Sequence, residues 1–299
     1  MKHLIKSILF ALLLFATTNF LIQNLFSKSI EQAEQKLLLS GENVIKSSIN
    51  SYTNTLSVTT KDWASWDDTY YFISNLNKNY IDSNITDETL INTKINIFAF
   101  FNTKGDLVYK KTLNYKYLDD QIAIPAEAYK NNKDNNIFQQ VQKTINSKIG
   151  VSQMIHTDKG LLVYSIYPIL PSDEQGEPRG ALLLGKYFGE EQEEEIKKTT
   201  SLNFKTSVFS NVEPELQNKL TKTNGFATFY NDKMEKYFLI KDSFNNPALS
   251  VIFTYPRIIK AWFTGEVSLY LSLFVGIAGG SLYFLFEKLK YIYFEFIKK

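Results

Sequence analysis

Two uncharged apolar runs bracket the chain: SILFALLLFATTNFLIQNLFS between Lys6 and Lys28, and VSLYLSLFVGIAGGSLYFLF between Glu266 and Glu287. Each has the roughly 20 residues that a helix needs to cross a hydrocarbon layer. Residues 7–27 and 267–286 are therefore expected to be transmembrane helices. The second contains Gly276, Ala278, Gly279 and Gly280, small enough for another helix to approach closely, with Trp262, Phe263 and Tyr283 near its ends. The first could also be a secretory signal, but no small-x-small cleavage site follows it, so retention as an anchor is expected. Lys2 and Lys6 precede the first run and Lys288, Lys290, Lys298 and Lys299 follow the second, whereas Lys28, Lys36, Arg257 and Lys260 flank the loop. This modest margin puts residues 1–6 and 287–299 in the cytoplasm and 28–265 outside the cytoplasmic (inner) membrane. The tail EKLKYIYFEFIKK alternates lysines with aromatics, a pattern that extends the helix or rests on membrane lipid headgroups.

In the long loop, apolar residues recur at Ile45, Ile49, Tyr52, Leu56, Trp63, Trp66, Tyr70 and Ile73 in steps of three and four, with Thr59 as a polar occupant. That spacing is the stripe of an amphipathic helix. Ile30, Leu37 and Val44 fall every seven residues, which predicts a stalk helix over 28–74, paired with a partner's stalk and interrupted at Gly41. The asparagine-rich NLNKNYIDSN ends it. The period then changes to two. KINIFAFF and LVYKKTL around Asn102–Asp106 read as a β-hairpin, and VSQMIHT, GLLVYSIYPIL and RGALLLGKYF as further strands, after the polar run NNKDNN and a short helix around Phe138–Ile145. EEQEEEIKK is helical with a solvated face, and NFKTSVFS, FATFYN, KYFLIKD and ALSVIFTYP form a second set of strands, with PELQNKL a helix among them. The predicted fold class is α+β: a long stalk helix, then two stacked antiparallel-sheet units, 75–200 distal from and 201–260 proximal to the membrane.

Composition narrows the chemistry. Lys plus Arg (33) nearly balances Asp plus Glu (31) and the charges are scattered, so no nucleic-acid footprint exists. With no cysteine and two histidines, His3 and His156, thiolate zinc sites and cysteine nucleophiles are absent and a serine triad would rest on His156 alone. His156 reads as an ordinary strand residue beside a DKG turn. No nucleophile, base and metal set can be assembled, so neither an enzyme nor a cofactor is expected.

The segment Asp62-Trp63-Ala64-x-Trp66-Asp67-Asp68-x-Tyr70-x-Phe72, followed by Asn79-Tyr80 and Asn84, resembles the signature of the fourth CHASE-type extracellular sensor family, a Cache-like group. The likeness continues through NTKGDLVYKK, GLLVYSIYPIL, GEPRGALLLGKYF and DSFNNPALSVIFTYPR, about residues 45–260. The resemblance implies PAS/Cache-like sheet units, a small-molecule ligand, and a cytoplasmic output such as a diguanylate cyclase, phosphodiesterase or histidine kinase; the two-span topology adds the expectation of a homodimer. This sequence departs from the family in stopping thirteen residues after the second run. That departure fits a truncated or split receptor, or a subunit that signals through a partner.

On one continuous helix, Trp63, Trp66, Asp67 and Tyr70 would fall within about a third of the circumference. Two readings follow. Aromatic faces and one carboxylate could wall a pocket for an ammonium or polar molecule, or both tryptophans could extend the core stripe while Asp67 pins the loop that follows it through hydrogen bonds. Asp62 and Asp68 point away and read as solvated or capping. Tyr164 and Tyr167 alternate across their strand, so at most one can join the helix motif, and Tyr164 is the one chosen as a pocket residue. Arg179 could bind a ligand carboxylate or pair with a surface acid. The function expected is a ligand-responsive sensor between two membrane helices. The competing reading is a membrane-tethered scaffold that binds another protein and no small ligand.

Overall fold

The computed structural model describes residues 2–114, 136–157, 160–257 and 266–297. Residues 131–135 of NNKDNN, Asp158 and Lys159 of the DKG turn, Lys260, Trp262, Phe263, Lys298, Lys299 and the side chains of Lys2 and His3 lie outside the described residues.

Helix α1 (Lys2–Ala64) runs for 63 residues. Gly41 does not interrupt it, contrary to the expectation. A helical glycine costs about 1 kcal/mol relative to alanine, less than the roughly 1.5–3 kcal/mol gained by burying each of the flanking Leu38 and Ile45 side chains. The helix also stops earlier than its stripe predicts. The Ser65 N–H is shared between the Lys61 and Asp62 carbonyls (3.0 and 3.3 Å), Trp66 adopts extended backbone (φ −82°, ψ 137°), and α2 (Asp67–Asn75) starts anew. The asparagine-rich run does not simply end the helix either. Asn77 caps α3 (Lys78–Asn84) by accepting from the Asn79 N–H, and Thr86 caps α4 (Asp87–Thr93) by accepting from the Thr89 N–H.

The larger compact unit comprises Glu42–Phe226 and Lys236–Phe253. Strands β1 (Ile97–Asn102), β2 (Leu107–Thr112), β3 (Val151–Thr157), β4 (Gly160–Pro168) and β5 (Gly180–Phe188) form an antiparallel sheet in the order β2-β1-β5-β4-β3. The β1–β2 turn closes where Asn102 Oδ1 accepts from the Lys104 and Asp106 N–H groups, with Gly105 at φ +79°. Both faces of this sheet are covered, which is why IFAFF reads as an uninterrupted apolar run. One face (Phe98, Phe100, Val163, Leu182, Leu184) packs with Leu56 and Ala64 of α1 and with Phe72, Ile73 and Tyr80. The other (Ala99, Phe101, Leu162, Tyr164, Ile166, Leu183) packs on α5 (Asn136–Ser147) through Ile137, Val141 and Ile145.

A second sheet has the order β6-β9-β8-β7, built from β6 (Phe204–Val208), β7 (Gly225–Phe229), β8 (Lys233–Lys241) and β9 (Pro247–Pro256). Helix α6 (Glu190–Thr200) precedes it and α7 (Pro214–Thr223) lies within it in sequence. The acidic helix α6 is not merely a solvated face: Glu193 and Gln192 are buried, and Glu193 Oε1 accepts from the Thr206 N–H (3.1 Å).

The smaller unit contains Met1–Gly41, Ala227–Glu235 and Thr254–Lys299. Among the described residues, two helices are long and apolar enough to cross a membrane, and this unit holds the apolar start of α1 and α8 (Glu266–Ile297). As expected, α8 continues as one helix into the aromatic tail. Its buried positions Ser268, Ser272, Gly276 and Gly280 fall four apart on one face. A Cβ at Gly276 would lie 3.0 Å from the Ala11 carbonyl oxygen, so the glycine permits the approach of α1.

Candidate functional site

The tryptophan-aspartate segment straddles the break between α1 and α2 rather than lying along one helix. With the Ala64 carbonyl released from the helical ladder, it accepts the Leu170 N–H (3.2 Å), and the loop between β4 and β5 folds back onto the break. Lys61 pairs with Glu174 of that loop at 2.8 Å, and Asp67 Oδ1 accepts from the Ser172 N–H at 2.9 Å. The carboxylate of Asp67 thus pins a loop. That is a structural role of the kind foreseen, but the loop held is the one between β4 and β5 and not the one that follows the helix.

Trp63 packs against the buried cluster, edge-on to Phe98 (5.3 Å between centroids), and stacks on Trp66 (5.0 Å, 29°). Trp66 itself is 38% exposed. Asp62 and Asp68 are exposed, as expected. Tyr70 is half-buried, and its ring lies under the Arg179 guanidinium, 3.8 Å from the centroid. Arg179 Nη1 also donates to the Tyr70 carbonyl (3.2 Å). Among the described residues no carboxylate pairs with Arg179, so the surface ion pair, one of its two readings, is not formed there. Its neighbour Glu177 is instead engaged by Lys148 (2.7 Å). The half-buried Arg179 guanidinium therefore presents a cationic face between Tyr70 and Tyr71, the latter 59% exposed and 5.6 Å from it. Such a face suits a carboxylate or another planar anion.

Tyr164 does not join this group. It lies on the α5 face of the sheet, fully buried, with its hydroxyl donating to Gln153 Oε1 (2.6 Å), and burial pushes its phenol up. Strand parity instead places Tyr167 on the motif side, where its hydroxyl meets Ser57 Oγ at 2.9 Å. Tyr71, Ser172 and Lys148 were not legible as site residues, because each acts through a contact with a residue far along the chain. His156 is half-buried, and its Nδ1 is buried with no hydrogen-bond partner among the described residues.

A family model described as the CHASE4 domain matches residues 48–207. Over 202 residues, 67% of this chain, the sequence is 22% identical to the methanogenesis regulatory histidine kinase FilI of Methanothrix harundinacea (strain 6Ac), and the match spans 22% of that protein's length. Among solved structures, the chain is similar to the sensor domain of the V. cholerae histidine kinase DctB (12% identity, 77% of this chain and 98% of that one, TM-score 0.38). It is also similar to the periplasmic domain of Vibrio cholerae LuxQ (12% identity, 73% and 99% coverage, TM-score 0.42). At that level of likeness no residue role carries over.

Proposed function

The chain belongs to the CHASE4 domain family, and from that premise we propose that it is the sensory part of a two-pass receptor in the cytoplasmic membrane. Residues 28–265 face outward, bind a small polar molecule without transforming it, and pass a displacement of α1 across the bilayer. Two copies act together, and a cytoplasmic output of cyclase, phosphodiesterase or kinase type receives the displacement. The observation that carries this reading is the continuity of α1. One helix includes a membrane-length apolar run and also supplies Leu56 and Ala64 to the buried core beside the sensor sheet. The place where a ligand meets the domain is the Arg179 guanidinium with Tyr70, Tyr71 and the exposed part of Trp66.

The test is thermal unfolding of the full chain in lipid nanodiscs against amino acids, amines, carboxylates and divalent ions, repeated with Arg179→Ala and Asp67→Asn, each compared with its own baseline. A carboxylate that raises the melting temperature by mass action, less so in Arg179→Ala, supports the reading. Absence of any shift in a cooperatively folding sample overturns it. That result would favour a membrane-tethered scaffold, a reading supported by the internal engagement of Trp63 and Asp67.

A further inference from the structure

Within the smaller unit, the ion pair between Glu34 and Arg257 is removed from solvent: each residue is 6% exposed. The contact is bidentate. Arg257 Nε donates to Glu34 Oε1 at 2.8 Å and Nη2 to Oε2 at 2.7 Å. The same guanidinium donates from Nη1 to the Tyr230 carbonyl (2.6 Å) and lies 5.3 Å from the Phe229 ring centroid, while the Arg257 backbone N–H donates to the Asp232 carbonyl (2.8 Å). Three segments therefore meet at one side chain: α1, the turn between β7 and β8, and the end of β9. Glu34 stands about two helical turns beyond the expected end of the first span. Arg257 follows directly on β9, in the stretch that leads to α8.

Burying two charges is not the cheapest way to hold these segments together, since a packed apolar pair of similar volume is as stable or more so. What the charges add is direction. An apolar contact tolerates sliding, whereas a guanidinium fork needs both carboxylate oxygens in its plane. A piston shift of α1 by two residues' rise, about 3 Å, or a rotation by one residue's turn, about 100°, takes the carboxylate out of the fork. We infer that Glu34 and Arg257 are a positioning pair that sets the register of the first membrane helix against the chain entering the second. The inference rests on the reading that both helices cross a membrane and that their relative displacement is the signal. The pair holds one register and has to open for the other, which makes the displacement discrete.

The chain has no cysteine, so an engineered pair reports without background. A Cβ at Gly276 would lie 3.1 Å from that of Phe15, close to the roughly 3.5–4.5 Å of a disulfide. The full chain carrying Phe15→Cys and Gly276→Cys is reconstituted in nanodiscs without ligand, and its oxidation rate is followed. Rates are compared in Glu34→Gln, in Arg257→Lys and in the double variant Glu34→Met/Arg257→Met. The expected result is at least a threefold fall in crosslinking rate in each variant that still unfolds cooperatively. A rate within about 1.5-fold of the parent in a folded variant overturns the inference. If the single variants fail to fold, the methionine pair, which strands no buried charge, decides. Failure of the methionine pair to fold also counts against the inference, because the charges would then be serving folding rather than register. No crosslink in the parent would instead remove the premise that the spans pack in the membrane. A missing ligand response in the unfolding screen leaves this measurement unaffected.

Discussion

Truncating Arg179 separates its role as a clamp from any role as a free cation. Its guanidinium lies 3.8 Å from the Tyr70 ring centroid, a contact worth about 0.5–2 kcal/mol at partial exposure. Its 3.2 Å hydrogen bond to the Tyr70 carbonyl is long for a charged donor and adds about 1 kcal/mol. Together these make Arg179→Ala destabilising by about 2 kcal/mol, or ~4–8 °C in melting temperature for a domain of this size. Arg179→Lys keeps the charge but loses the plane that stacks, so about half of that loss is expected. The assay is thermal unfolding of the full chain followed by far-UV circular dichroism at low and high salt, where a stacked contact changes less than a surface ion pair would. If Arg179→Ala melts within about 1 °C of the parent, or if lysine replaces arginine at no cost, the guanidinium does not fasten the β4–β5 loop to α2 and the geometric argument for a clamp fails.

Phe72→Ala should be more damaging, because its buried ring stacks on Tyr80 (4.6 Å) and meets Phe100 edge-on (5.1 Å). A loss of about 3–5 kcal/mol in denaturant unfolding is expected, against less than about 0.5 kcal/mol for Val58→Ala, a residue of α1 that is 72% exposed. Near-equal midpoints for the two variants would mean that the aromatic cluster is not core. Burial pushes the Tyr80 hydroxyl up to about 12, partly offset by its hydrogen bond with Thr69. The folded state therefore holds this proton more tightly than the unfolded chain, whose phenol titrates near ~10. The corresponding stability is complete below ~pH 10 and is lost as pH rises toward 12. Melting temperature should fall across that window by less in Tyr80→Phe than in the parent, and parallel curves would contradict the assignment.

Local patterns along the chain located most of the strands and both membrane-length helices. The apolar run lengths marked both membrane-length helices, and the change of period marked the strand region that begins at β1, although the short helices α3 and α4 before it were not foreseen. The Asn102–Asp106 turn was legible because one side chain and one glycine close it within five residues. The end of α1 was not legible, since the stripe of apolar positions continues through Trp66 to Ile73 on a helix that stops at Ala64.

The side chains singled out in the sequence come together only in part. Trp63, Trp66, Asp67, Tyr70 and Arg179 do gather where the β4–β5 loop crosses the helix break, but Tyr164 faces away and Tyr167 takes the nearer side. Strand parity determined that the two tyrosines must part, while only the packing of α1 and α5 on opposite faces decided which of them met the motif. The sequence alone determined what depends on neighbours a few residues away: periodicity, span length, turn chemistry and the absence of cysteine. The tertiary structure decided the pairings whose partners lie far apart, Asp67 with Ser172 at a separation of 105 residues and Glu34 with Arg257 at 223. Such contacts form because folding brings a freed backbone N–H or a buried charge to the group that satisfies it, and no local spacing encodes which group that will be.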